Sequence, residues 1–327
     1  MNMEHTIIIG AGPCGIAAAI ELQRHGVSPL VIEKRNIVHA ISQYPTYMQF
    51  FSTSELLEIG DIPFTTANDK PTRLEALNYY RTVAQRYKLR IAPYVTITNI
   101  RRTDEGFQLQ GHDRFQEEEL TYACRHVVIA TGYFDSPNML GIPGEASEKV
   151  SHFFREAHPY AGMKVAIIGG SNSSIDAALE LERVGADVTV VYRRSQYSSS
   201  IKPWVRPIFE GKVAKGAITM LFDSTVTEIH SRHIVVQGPD GNRELPNDFV
   251  LALTGFHPDR GFLSSAGVTM EAEGYPTFAE NTMETNVPGI YLAGVVASRH
   301  EANEIFIETG RFHGRKIVQH MIEAGRL

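Results

Sequence analysis

Only two cysteines, Cys14 and Cys124, occur in the 327 residues, too far apart in sequence to form a CxxC or CxxxxC redox pair. A local dithiol motif is therefore excluded. No apolar run approaches the roughly 18 residues that a membrane span requires, so no membrane protein and no membrane partner is expected. The opening MNMEHTIIIG has no basic stretch followed by a hydrophobic region and cleavage site, so a cytoplasmic location is expected. Basic residues are in deficit. The net charge of −6 and isoelectric point near 6.1 favour solubility and speak against nucleic acid as the main partner. The histidines, among them His152, His158, His257, His300 and His313, lack the spacing of zinc ligands, and no metal is expected. Low-complexity tracts and long linkers are also missing. The acidic DRFQEEELTY (113–122) reads as a solvated hairpin or loop.

What is present is an ordinary globular composition, 43% hydrophobic and 21% charged, in a 36.4 kDa chain long enough for two domains with a core each. The β-branched run Thr6–Ile9 leads into Gly10-Ala11-Gly12-Pro13-Cys14-Gly15 and then into IAAAIELQRHG, which has helical composition and stops at Gly26. Such a strand, tight turn and helix bind a dinucleotide. The first glycine permits the turn, the second admits a pyrophosphate to the backbone at the helix start, and the third lets helix and strand pack closely. The next strand, Pro29–Ile32, ends at Glu33, placed to accept a hydrogen bond from a free ribose 2′-hydroxyl, so this unit reads FAD or NAD rather than NADP.

The signature returns at Lys164–Ile168, followed by Gly169-Gly170-Ser171-Asn172-Ser173-Ser174, the helix IDAALELERVG and the strand DVTVV. At the place of Glu33 stands Tyr192, with Arg193 and Arg194 next. Acid has given way to base. A carboxylate would repel a ribose 2′-phosphate, whereas guanidinium groups bind it through charge-assisted bonds worth roughly 1.5–3 kcal/mol each. The second nucleotide is expected to be NADPH. Ser171 occupies the second glycine position, where its side chain is expected to crowd the pyrophosphate.

Between the units, the strand Val127–Ala130 breaks at Thr131-Gly132 into a Pro/Gly-punctuated segment, and FVLALTGFHPD (249–259) repeats that break. NVPGIYLAGV (286–295) is a turn and short strand, after which the chain is expected to rejoin its first domain. Apolar spacing predicts one closing helix over Glu304–Ala324 that begins beside the first cofactor. The expected architecture is α/β, with two Rossmann-like domains: residues 1–154 and 259–327 for FAD, and 155–258 for NADPH.

ATG at 130–132, TGFHPD at 254–259 and GIYLAG at 289–294, around two Rossmann signatures, make the chain resemble the pyridine-nucleotide flavoprotein reductases along nearly its whole length. Within them, GAGPCG (10–15), QYPTYMQFFSTSELLEIGD (43–61), FFREAHPY (153–160), IIGGSNSSIDAALEL (167–181), VYRR (191–194) and IFIETGRFHG (305–314) resemble the YpdA family of FAD- and NADPH-dependent bacillithiol disulfide reductases. That resemblance implies a thioredoxin reductase-like arrangement and reduction of bacillithiol disulfide or support of bacilliredoxin-type proteins, and a homo-oligomer is expected. FAD contacts are expected at Gly10, Gly12, Pro13, Gly15, Glu33, Lys34, Gln43, Val95, Ala130, Thr131, Gly132 and Gly294. For NADPH they are expected at Gly169, Gly170, Ser171, Asn172, Ser173, Ser174, Arg193 and Arg194. Val295 stands where thioredoxin reductase-like proteins usually carry the aspartate of a GD pair.

A thiol at a helix start is drawn towards the thiolate, a neighbouring pyrophosphate opposes this, and a small residue alone would also suit position 14. The resemblance favours a catalytic Cys14. Cys124 reads as a small buried hydrophobe. Competing readings are a flavin monooxygenase, a ferredoxin–NADP reductase-like enzyme, and a redox-sensing binding module without turnover.

Overall fold

Ile7, Ile8 and Ile9 are all buried, the pattern of a parallel strand covered on both faces, and their strand, Met3–Ile9, lies inside a seven-stranded sheet. The computed structural model describes residues 3–299 and 304–327; His300 lies outside the described residues. Two compact units result. The first comprises Met1–Ser42, Met48–Ser136 and Phe256–Leu327, and the second Gln43–Tyr47 and Pro137–Gly255.

In the first unit the strand order is Arg90–Pro93, Leu30–Glu33, Met3–Ile9, Glu118–Ile129, Gly106–Asp113, Val95–Thr103, with Ile290–Leu292 beside the second half of Glu118–Ile129. Val31, Val128 and Tyr291 mark its parallel register: Ile8 faces both valines, and Tyr291 faces Val128. The long strand Glu118–Ile129 changes partner along its length, pairing antiparallel with Gly106–Asp113 through Glu118–Cys124. Asp113 Oδ1 accepts from the N–H groups of Phe115 (2.8 Å) and Gln116 (3.0 Å). The acidic stretch is thus a hairpin.

The helix Pro13–Arg24 follows the first glycine turn. Where one closing helix was expected over Glu304–Ala324, there are two, Ile307–Gly310 and His313–Glu323. The break has a local cause: Phe312 N–H bonds Thr309 O and Arg315 N–H bonds Phe312 O, three-residue turns that interrupt the four-residue ladder. A Cβ on Gly314 would lie 2.6 Å from Ala18 Cα, and one on Gly310 would lie 2.8 Å from Cys14 Sγ. Cys14 and Ala18, four apart, share a helix face, and the glycines they meet are also four apart. The closing segment therefore approaches the first helix along a seam that only small residues permit.

The second unit repeats the plan with five parallel strands, in the order Ile218–Leu221, Asp187–Val191, Lys164–Ile168, Phe249–Ala252, Val150–Ser151. Val165 and Ile167 pack to one side with Ile175, Leu181 and Phe209, while Ala166 and Ile168 pack to the other with Val226, Ile234 and Val236. This two-residue alternation buries both faces. A three-stranded antiparallel sheet, Thr225–Ile229, His233–Gly238 and Gly241–Pro246, supplies the second layer.

Candidate nucleotide sites

The two glycine turns are built on the same hydrogen bond. Gly10 N–H donates to Ile32 O at 2.8 Å, and Gly169 N–H donates to Val191 O at 3.1 Å. Ile9 is paired with Ile32, and Ile168 with Val191, so Glu33 and Tyr192 stand at corresponding places. Gly10 (φ +111°) and Gly169 (φ +137°) lie where side chains are strained. A Cβ on Gly10 would also meet Ala130 O at 2.4 Å, and one on Gly15 would meet Gly10 O at 2.0 Å. Gly12 is different: nothing lies within 4 Å of where its Cβ would stand, so its bare side is open to a ligand rather than filled by packing.

The acid and its replacement treat the turn differently. Glu33 is buried; its Oε2 accepts from Ala11 N–H (2.8 Å) and its Oε1 from Arg35 N–H (3.0 Å). Burial raises its carboxyl above the usual range, and the two N–H groups pull in the opposite direction. In the second unit the Tyr192 ring takes the space beside Gly170, where a Cβ would meet it at 2.5 Å. Glycine at 170, against alanine at 11, follows from that ring. Arg193 and Arg194 are exposed, and neither has an acidic partner among the described residues. Two cations are thus held at a strand end with their guanidinium groups in solvent.

Both helices that follow the turns begin without a side-chain cap: neither Gly12 nor Ser171 gives a cap hydrogen bond, and neither first turn carries an acid. By contrast, the helix Arg73–Arg86 has a full capping box from Thr72 and Glu75. The first turn of a helix presents N–H groups with no acceptor in the helix itself, and a phosphate supplies one. These two helix starts fit a dinucleotide pyrophosphate. Ser171 Oγ is turned to Ser200 Oγ at 2.7 Å, and Asn172 Nδ2 donates to Ser200 O at 2.8 Å. Ser173 stands in the first turn of the helix Asn172–Arg183. Ser174, at the third glycine position, is buried with its hydroxyl 3.4 Å from Leu253 O.

The remaining expected residues are distributed less evenly. Ala130 is buried against the first turn, Thr131 follows it, and Gly132 has φ +73°. Lys34 pairs with Asp135 at 3.0 Å. Pro13 is the first helical residue, and the Val95 side chain belongs to the core. Gln43 falls in the second unit, its side-chain oxygen accepting from the Arg155 guanidinium. Cys14 is half-buried, and a Cβ on Gly294 (φ +76°) would lie 3.0 Å from its Cβ and Sγ. Burial pushes the Cys14 thiol up to about 12. Cys124 is buried in the first core. Gly310, His313 and Gly314 fall within IFIETGRFHG, yet none of them takes a site role from the sequence alone, although the spacing of four that Gly310 and Gly314 share with Cys14 and Ala18 is visible in it.

Two glycine turns each follow the first of two paired parallel strands. The second strand ends in a buried acid in one unit and leads to two exposed arginines in the other, which points to a two-nucleotide oxidoreductase. Residues 7–294 match the model of the pyridine nucleotide-disulphide oxidoreductase family, and the chain belongs to that family. It is an enzyme that works with a flavin and a nicotinamide nucleotide. It is 49% identical over 321 residues to the bacilliredoxin reductase Bdr of Bacillus subtilis, covering 97% of each chain. The bacillithiol disulfide reductase Bdr (YpdA) structure from Bacillus cereus is 48% identical with a TM-score of 0.96, covering 99% of this chain and 100% of that one. Its counterpart from Staphylococcus aureus is 43% identical with a TM-score of 0.94, covering 99% of each. The fold class expected from the sequence is the one found. Among the described residues, no helix is long and apolar enough to cross a membrane.

Proposed function

We propose that the first unit holds FAD, the second holds NADPH, and the enzyme reduces a low-molecular-weight disulfide, bacillithiol disulfide or its mixed disulfide on a bacilliredoxin-type protein. The overall reaction is NADPH + H⁺ + RSSR → NADP⁺ + 2 RSH. The observation that carries the nucleotide assignment is the shared turn hydrogen bond with Glu33 at one strand end and Tyr192-Arg193-Arg194 at the other. The names of the relatives support the disulfide. When bound, FAD supplies a two-electron relay between nicotinamide and acceptor.

The chain's own residues position these partners. Gly10, Gly12 and Gly15 shape the first turn, Glu33 receives the adenosine ribose, and Arg193 and Arg194 receive the 2′-phosphate. Cys14 is the candidate thiol: as thiolate it attacks one sulfur of the disulfide, forming a mixed disulfide on Cys14 and displacing the other half as a thiolate that takes up the proton of the overall reaction. The two electrons from NADPH would then cleave the mixed disulfide, freeing the second thiol and restoring the Cys14 thiolate. The burial that pushes its thiol up to about 12 works against that attack and favours a second reading, direct transfer to the disulfide with Cys14 as packing.

The test is an anaerobic assay of purified holoprotein with NADPH against bacillithiol disulfide, oxidised glutathione, ferredoxin and oxygen, run for wild type and Cys14→Ala. Preference for bacillithiol disulfide is expected, and faster turnover of ferredoxin or stoichiometric oxygenation would overturn it. Alanine fits the seam and should keep FAD while disulfide turnover falls sharply; full turnover in Cys14→Ala would leave the direct route.

A further inference from the structure

His313 opens the helix His313–Glu323 and is buried at 8% exposure, yet no part of the nucleotide reading uses it. Its Nδ1 accepts from the backbone N–H of Gly294 at 3.2 Å. Gly294 holds a left-handed backbone (φ +76°), and its Cα faces Cys14 so closely that an added Cβ would stand 3.0 Å from Cβ and Sγ. On its other side the thiol meets Gly310, where an added Cβ would lie 2.8 Å from Sγ and 3.1 Å from Gly294 Cα. Cys14, Gly294 and Gly310 therefore share one small space, and the single side-chain bond to Gly294 N–H comes from His313.

We propose that His313 is a positioning residue for Cys14, holding the Gly294 backbone through its Nδ1 acceptor and so fixing one wall of the notch in which the thiol rests. The role needs a neutral imidazole, because an imidazolium has no acceptor. Two features keep it neutral. Burial lowers its basicity to about 4, with the nearby Lys316 acting in the same direction, and a helix N-terminus disfavours a cation. With Nδ1 accepting, the ring proton resides on Nε2, so the tautomer is fixed by the same bond. Val295, beside Gly294, has no side-chain acceptor or donor, leaving the wall dependent on the residue that arrives from the closing helix.

The inference rests on the proposed importance of Cys14, and its test is independent of turnover. The holoprotein is prepared on a Cys124→Ala background, leaving Cys14 as its one thiol, and labelling by 4,4′-dithiodipyridine is followed together with hydrogen exchange at the Gly294 amide. Glutamine at 313 keeps an acceptor, whereas leucine or methionine keeps bulk without an effective one. His313→Gln should label within about twofold of the parent, and His313→Leu should differ by about 10-fold with faster Gly294 exchange, the scale of one lost buried hydrogen bond. If leucine and methionine both fail to yield flavoprotein while glutamine succeeds, the acceptor is again what matters. Parent-like labelling and exchange in His313→Leu, or a glutamine variant that behaves like leucine, overturns the proposal. A Cys14→Ala enzyme with full turnover would remove the catalytic reading of Cys14 while leaving this result standing.

Discussion

Replacing Arg193 and Arg194 together by serine removes the two cations placed after Tyr192 while leaving the Gly169 N–H to Val191 O bond and the uncapped helix start untouched. Charge-assisted bonds to a phosphate are worth roughly 1.5–3 kcal/mol each. Both arginines are exposed, and water and salt screen them, so about 1 kcal/mol each is the better figure. The pair then contributes about 2 kcal/mol, and the preference for NADPH over NADH should fall by at least about 10-fold. The assay is the ratio of kcat/KM for the two nucleotides in anaerobic flavin reduction, measured at low and high salt. In wild type the ratio should decline as salt rises, because a phosphate–guanidinium contact at the surface is screened. NADH should be used nearly as well by the variant as by wild type, since it has no 2′-phosphate to lose. An unchanged NADPH preference in the double variant would show that other groups read the phosphate and would refute the assignment.

Two other perturbations address the rest of the chain. Glu33→Ala leaves Ala11 N–H and Arg35 N–H without their acceptor and should release FAD on dilution, seen as lost yellow colour in the retained protein, while binding of 2′,5′-ADP persists. Burial holds His126 and His313 down at about 4, below the ordinary 6.5. Between these values the unfolded chain binds more protons than the folded one, so their contribution is full above about pH 6.5 and is lost as pH falls towards 4. The thermal midpoint should drop across that window, and His126→Asn should flatten the drop; a midpoint indifferent to pH there would contradict it.

The two turns were legible because a glycine needed for a positive φ or a close approach leaves a mark in sequence: Gly10, Gly15 and Gly169 stand where a side chain would collide. The strand ends were legible too, since β-branched runs stop at Glu33 and Tyr192. Tyr192 itself read only as a missing acid. Its ring over Gly170 is a tertiary contact, and it explains a glycine that spacing rules assign to no role. The crowding expected from Ser171 meets an observed bond to Ser200, a residue 29 positions away that no periodicity connects to the turn. The closing helix was overextended because apolar spacing continues through Arg311 and Phe312 while the hydrogen-bond ladder does not. His313 registers in the sequence only as a histidine without zinc-ligand spacing, because a lone histidine in a helix carries no pattern and its bond to Gly294 N–H is a tertiary contact.

The small-residue seam also links the beginning of the chain to its end. Gly310 and Gly314 press on Cys14 and Ala18 so closely that neither side has volume to spare. Enlarging any of the four acts as a wedge, and the displaced element would be the helix Pro13–Arg24, at whose start we place the pyrophosphate. Position 14 is therefore calibrated from a stretch of sequence almost three hundred residues away. A fusion or truncation that lifts the last helix would uncover the buried Ile317, Val318 and Met321 and, through the seam, would reach the proposed phosphate end as well.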